Sequence, residues 1–253
     1  MVDLQHSFQM PEGYDLRAFE LLDSSNAECR RLADDGVGGN IWIVAGEQSA
    51  GRGRRGREWV SRPGNFFASL LYAIDCDLGT ASELSFVTAL AVRDACADIL
   101  QSNNRVTCKW PNDILVGGKK ISGILLESVG SGGESPSHVI IGIGVNVMHH
   151  PAEAQYPATN LQEEAVGDID LSLVTARIVQ SMAHWITRWK DHGFGLIRQA
   201  WKDNASGLGQ EIIVRLPGEE LRGRFVDLDA SGALILEFGG ERRHITAGDV
   251  FFV

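Results

Sequence analysis

The chain has 253 residues, which makes one large domain, or a main domain with a small appendage, that buries a core without disulfide staples. With 44% hydrophobic, 22% charged and 8% aromatic residues, the composition excludes a disordered chain. Twenty-three Lys and Arg against 33 Asp and Glu leave a formal net charge of −10, which excludes a broadly basic nucleic-acid binder but leaves room for one local cationic patch.

A Ser25-Asn26-Ala27-Glu28 stretch at capping-box spacing opens the first predicted helix, with Ser25 able to cap it and Gly36 as its stop. Ile41 to Val44 reads as a buried strand, and Gly46 to Arg57 is too rich in Gly and Arg to pack as a regular element. Phe66 to Ile74 is a second strand. Leu84, Val87, Ala91, Ala95 and Ile99 keep helical spacing within Ala81 to Leu100. Val106 to Trp110 and Ile114 to Val116 are short strands, and Gly117-Gly118 offers the positive φ of a tight turn before a returning strand, Ile121 to Glu127. Val139 to Val147 is a further β-rich run. Leu171 to Lys190 and Phe194 to Asn204 are helices.

Beyond Ser206-Gly207-Leu208-Gly209 only short β patterns remain: Glu211–Arg215, Glu220–Asp227, Ala233–Phe238, His244–Thr246 and Val250–Val253, with turn residues between them. The expected architecture is an α+β main domain over residues 1–206 followed by a small β-barrel over residues 207–253. The cysteines at 29, 76, 96 and 108 contain no CxxC pair, so neither a zinc site nor a disulfide framework is expected and a reducing compartment fits best. The first sixteen residues have an early acid and no apolar core, unlike a signal peptide, and no apolar run approaches the ~20 residues that span a bilayer. A cytoplasmic location is the expectation.

Three segments point to chemistry. Gly51-Arg52-Gly53-Arg54-Arg55-Gly56-Arg57 puts four arginines within six residues of an acidic protein. Its glycines admit close backbone approach, and guanidinium forks bind phosphate or carboxylate oxygens. A solvated basic loop is the simpler account, although Gln48 and Trp59 flank it with a polar anchor and a stacking ring. It is not a Walker loop, because no Gly-Lys-Ser/Thr ending is present. Lys109-Trp110-Pro111-Asn112-Asp113 reads equally as a strand ending in a turn, and Lys120 as a solvated charge at a strand start. Gly142-Ile143-Gly144-Val145-Asn146 reads equally as a central strand with glycines for close packing.

In this order, together with Asp23-Ser24-Ser25-Asn26 and Lys120 to Glu127, the segments resemble those of the biotin–protein ligases, over most of residues 20–150. The resemblance implies a mixed β-sheet with packed helices, of the biotin/lipoate ligase and class II synthetase type, with a C-terminal SH3-like β-barrel. It implies activation of biotin by ATP to biotinyl-5′-AMP and transfer to a lysine of a biotin carboxyl carrier protein, with Mg²⁺ neutralising the phosphates. By the same resemblance, Ser24, Ser25, Asn26 and Gln48 meet the ureido ring of biotin, helped by the backbone of Gly51 and Gly53. Arg52 and Arg54 meet the carbonyl and phosphate of the acyl-adenylate, and Lys120 the reacting carboxylate. Trp59, Lys109, Asn112 and Asn146 lie toward the adenylate, and no protein metal ligand is assigned. Many relatives have Thr where this chain has Ser25, which keeps the hydroxyl and loses a methyl.

Some relatives carry an N-terminal DNA-binding module. The roughly twenty residues before Asp23 are too few for one, so a direct role at DNA is not expected. Relatives also pair sheets edge to edge, with Val139–Val147 the strand offered here for such a homodimer. The rival readings are a lipoate or octanoate ligase of the same superfamily and, more remotely, a non-catalytic nucleotide- or nucleic-acid-binding module built on Arg52 to Arg57.

Overall fold

A computed structural model describes residues 8–130, 137–152 and 156–252, so the first seven residues and Val253 lie outside the described structure. The main unit runs β1 (Tyr14–Leu22), α1 (Ser25–Asp34), β2 (Asn40–Gln48), β3 (Phe66–Ala73), α2 (Leu78–Ser82), α3 (Leu84–Ile99), β4 (Val106–Lys109), β5 (Asp113–Val116), β6 (Lys119–Val129), β7 (His138–Val145), α4 (Leu161–Glu164), α5 (Leu171–His192) and α6 (Phe194–Asp203). Its seven strands form one sheet in the order β1-β2-β3-β7-β6-β5-β4. β1 and β2 run parallel, and every other neighbouring pair is antiparallel. This is the mixed sheet with packed helices that the sequence implied.

Both faces of the sheet are covered, which explains why β2 and β3 read as unbroken apolar runs. Ile41, Ile43, Leu71 and Ile140 face Cys29 and Leu32 of α1. Trp42, Val44, Leu70 and Tyr72 belong to the larger core on the opposite side, built with α3, α5 and α6. Trp201 of α6 is fully buried there, edge-on to Phe86 at 5.6 Å between ring centres.

The five remaining strands, β8 (Glu211–Leu216), β9 (Glu219–Leu228), β10 (Leu234–Phe238), β11 (Glu241–Ile245) and β12 (Asp249–Phe252), form a second, antiparallel sheet in the order β11-β10-β9-β8-β12. It is the small SH3-like unit, and its Val214, Phe225 and Leu236 are continuous with the main core. The Trp110 indole N–H donates to the Gly232 carbonyl at 3.1 Å, pinning the Lys109–Asp113 segment to this unit.

Several expectations need correction. β1 was not foreseen: it is a half-exposed edge strand, so its alternation is weak. α2 stands apart from α3, started by Asp77, whose carboxylate accepts from the Thr80 N–H. Ser24, not Ser25, is the N-cap of α1, and it makes no side-chain capping bond. The capping box fails because Glu28 pairs with Arg31 at 2.8 Å and the Ser25 hydroxyl turns to Gln48. Val139–Val147 is not an edge, because β7 lies between β3 and β6. The terminal strands of this sheet are β1 and β4.

Trp201→Ala should lower stability by roughly 3–5 kcal/mol, the usual cost of emptying a large buried aromatic site. Urea unfolding should show a lower midpoint with an unchanged slope.

Candidate active site

A cleft of about 310 Å³ opens between the sheet, the Gly/Arg loop and β12 of the C-terminal unit. Every side chain singled out in the sequence lines it: Ser24, Ser25, Asn26, Gln48, Arg52, Arg54, Trp59, Lys109, Asn112, Lys120 and Asn146. Gly53 also lines it, whereas Gly51 does not. A Cβ on Gly51 would fall 2.4 Å from the Ser61 hydroxyl and 2.5 Å from the Trp59 carbonyl, so this glycine lets the loop fold back on itself.

One end of the cleft is polar and uncharged. Ser24, Ser25 and Asn26 begin α1 and are each only 4% exposed. The Ser25 amide and hydroxyl both donate to the Gln48 side-chain oxygen, at 2.8 and 3.0 Å, and the Gln48 amide donates to the Ser61 hydroxyl at 2.8 Å. Buried Ser69 of β3 stands 2.7 Å from the Ser25 hydroxyl and 2.5 Å from the Asn26 side-chain oxygen. Asn26 donates in turn to Glu127 at 2.7 Å. This network fixes small donors and acceptors in place, the arrangement that lets a buried polar site discriminate between ligands.

The glycines of the central strands make room for larger groups. A Cβ on Gly142 would lie 2.3 Å from the Asn26 side-chain oxygen, and one on Gly144 would lie 2.4 Å from the Trp59 ring. Gly123 on β6 meets the same ring at 2.9 Å. Only glycines permit Trp59 to lie flat against the sheet. Its indole N–H is buried and has no hydrogen-bond partner among the described residues.

The other end is cationic, and carboxylates hold the cations in place. Glu127 accepts from Arg52 at 3.3 Å, and Asp249 of β12 accepts from Arg55 at 3.2 Å and Arg57 at 2.9 Å. Arg54 instead donates to Asn112 at 3.0 Å, and Asn112 donates to the Ile124 carbonyl at 2.6 Å. Burial lowers the pKa of Arg54 from its ordinary value. Asp113 lies between two lysines: one oxygen is 2.6 Å from the Lys120 amine and the other 3.9 Å from that of Lys109. Lys109 is 3% exposed, and burial pulls its pKa down to about 8. The Lys120 backbone is clamped on both sides, its N–H donating to the Pro157 carbonyl at 2.7 Å and its carbonyl accepting from the Thr159 N–H at 2.9 Å. Asn146 donates to the Thr159 carbonyl at 3.0 Å, tying the end of the Gly-x-Gly strand to the same loop.

The sequence assigns no site role to two acids and a ring, and leaves Asp113 open between a site role and a turn; it starts β5 and pairs with Lys120. Glu127, Asp249 and Tyr156 went unassigned, although Asp249 and Tyr156 line the cleft and Glu127 holds Asn26 and Arg52 at its side. Only the excess of cations in one loop hinted that acids must come from elsewhere to face it.

The match to known proteins agrees with this geometry. A model described as the biotin/lipoate A/B protein ligase family fits residues 31–146, and one described as the biotin protein ligase C-terminal domain fits residues 207–253. The chain is 41% identical to a biotin–[acetyl-CoA-carboxylase] ligase of Paracoccus denitrificans over 91% of its own length and 97% of the relative's. It is 32% identical to a bifunctional ligase/repressor of Bacillus subtilis, over 94% of this chain and 74% of that one. Among solved structures it is similar to the biotin protein ligase from Aquifex aeolicus in complex with biotin and ATP, with a TM-score of 0.79, 27% identity and coverage of 94% of this chain and 97% of that chain. With such identity along nearly its whole length, the chain belongs to the biotin–protein ligase family.

Proposed function

We propose that this cleft binds biotin and ATP side by side, joins them as biotinyl-5′-AMP, and passes the biotinyl group to a lysine of a biotin carrier protein. The observation that supports this reading most is the joining of two unlike halves in one cleft. A neutral hydrogen-bonding end formed by Ser24, Ser25, Asn26 and Gln48 meets a cationic end formed by Arg52, Arg54 and Lys120. A ureido ring with N–H donors and a carbonyl acceptor suits the first, and a carboxylate beside a triphosphate suits the second. Lipoate's dithiolane ring carries no N–H donor or carbonyl acceptor to set against this polar end, which disfavours the rival substrate.

In the first step a biotin carboxylate oxygen attacks the α-phosphorus of ATP. An acyl–phosphate bond forms and the bond to pyrophosphate breaks. Both reactants are anions, so the barrier falls when positive charge is already fixed where negative charge builds up. Lys120, held through its backbone and by Asp113, meets the carboxylate, while Arg52 and Arg54 face the carbonyl and phosphate. Trp59, Lys109, Asn112 and Asn146 border the adenylate. Mg²⁺ supplies charge neutralisation to the phosphates when bound. Among the described residues no three His, Cys, Asp or Glu side chains gather as a metal cage.

In the second step the carrier lysine's neutral amine attacks the acyl carbon, AMP leaves with the bonding pair, and the amine releases a proton. The adenylate must survive until the carrier arrives, so the Gly/Arg loop acts as a cover that keeps water out. Arg54 contributes by spanning from the loop to Asn112.

Three substitutions test these roles. Lys120→Ala should reduce biotin-dependent adenylate formation by about 10²–10³-fold, as expected for a lost electrostatic stabiliser, in a pyrophosphate-release assay. Arg54→Gly should still make the adenylate but release it, read as free biotinyl-AMP in a filtrate; retention equal to the parent's would contradict the cover. Gly144→Ala should displace Trp59 and weaken ATP binding by roughly tenfold in calorimetry, with the fold intact.

A further inference from the structure

The C-terminal unit reaches the cleft through more than Asp249. Four side chains pack together at the junction of the two units. The Arg215 guanidinium lies 4.0 Å over the Phe251 ring. That ring stacks on Tyr156, with centres 4.7 Å apart and planes at 27°. The Tyr156 ring also carries the Lys109 ammonium, 3.5 Å from its centre. Phe251 and Phe252 themselves lie 6.0 and 5.7 Å from that ammonium. The stack therefore joins β8 and β12 to the end of β4, with Lys109 bordered by Tyr156, Phe251 and Phe252. A quadrupolar ring face attracts a cation, most strongly where water is excluded, as it is around Lys109.

This stack is connected to both lysines that pair with Asp113. Lys109 sits under Tyr156 directly. Lys120 is held by the segment that follows Tyr156, through its backbone bonds to Pro157 and Thr159. We propose that Phe251 is a positioning residue for the ligase: by packing on Tyr156 beside Lys109 it makes the last strand of the C-terminal unit set the placement of the Lys109–Asp113–Lys120 group. The proposal rests on the adenylate-forming reading of the cleft and assigns the C-terminal unit a part in it. Phe251 itself meets neither reactant in that reading, and acts through Tyr156 and the lysines.

The stack also sets the surroundings of Lys109. The charged groups facing its amine are Asp113, Lys120 of β6, Asp249 of β12 and Arg57 of the Gly/Arg loop. Burial is the largest influence and disfavours the ammonium, Lys120 and Arg57 act with it, and the two acids oppose it. Opening the stack loses the ring's attraction for the ammonium but admits water, and because burial is the largest influence on Lys109 the charged form is favoured on balance. The folded-state pKa of Lys109 should then rise from about 8 toward the ordinary lysine value of 10.5. If the ammonium supports the reaction, activity of the free enzyme falls on the alkaline side as Lys109 loses its proton, and that limb moves to higher pH when the stack is opened.

The test uses the full chain with Phe251→Ala, Phe251→Leu and Phe251→Tyr, measuring kcat/KM for ATP in biotin-dependent pyrophosphate release across neutral and alkaline pH. This ratio reports groups of the free enzyme. Phe251 is only partly buried, and Leu keeps an apolar side chain without the ring, so a folded ringless variant is available. The expected result is a fall of about tenfold at neutral pH and an upward displacement of the alkaline limb in the Ala and Leu variants, with Tyr restoring both. A role in stability alone would lower activity by one factor at every pH. A limb that stays in place in Phe251→Leu, or moves equally in Phe251→Tyr, would overturn the proposal. A parent with no biotin-dependent release would instead count against the adenylate reading itself.

Discussion

Gathering cations in one cleft of a protein is unfavourable unless opposite charge faces them, and the site depends on how this is met. Each group of cations has its own acid: Glu127 for Arg52, Asp249 for Arg55 and Arg57, Asp113 for Lys120 and Lys109. These acids come from β5, β6 and β12, so the elements of the fold meet where the charges do. Exposed ion pairs contribute little to stability. Their value here is in fixing direction, because a positively charged site prepared before reaction avoids reorganisation as the transition state forms. Arg54 has an amide partner, Asn112, in place of an acid, which leaves its charge available to a ligand.

The glycines serve the same site from the sheet side. Gly123 and Gly144 let Trp59 lie against the strands, and Gly142 gives way to Asn26. One wall of the cleft is thus made of backbone, which holds ring and amide at fixed depth. The neutral and charged ends share this wall, so a ligand with a polar ring at one end and a carboxylate at the other spans them. The C-terminal unit closes the remaining side, attached by Trp110 to Gly232, by Asp249 to the arginines, and by the stack through Phe251.

Much of this was legible in the sequence because its signals are local. The Gly/Arg loop, the Lys109–Asp113 segment and the Gly-x-Gly strand each depend on residue types at short spacing, and all three meet in the cleft. The larger helices and the β-only tail followed from periodicity. What escaped depends on distant partners. β1 is recognisable only through its pairing with β2, and Glu127 and Asp249 are ordinary strand acids until the fold brings arginines to them. The capping role of Ser25 failed for the opposite reason: a local rule gave way to Gln48, twenty-three residues away. β7 was misplaced as an edge because a glycine-bearing apolar strand reads alike at the edge and in the centre.

The central claim, that the two ends of one cleft join biotin to AMP, is tested most directly by incubating the pure protein with ATP and Mg²⁺ and either biotin or lipoate, and examining the products by mass spectrometry. The account predicts biotinyl-5′-AMP with biotin and no acyl-adenylate with lipoate. Lipoyl-AMP in place of biotinyl-AMP would contradict the assignment of the neutral end, and the absence of both would contradict the account of the cationic one.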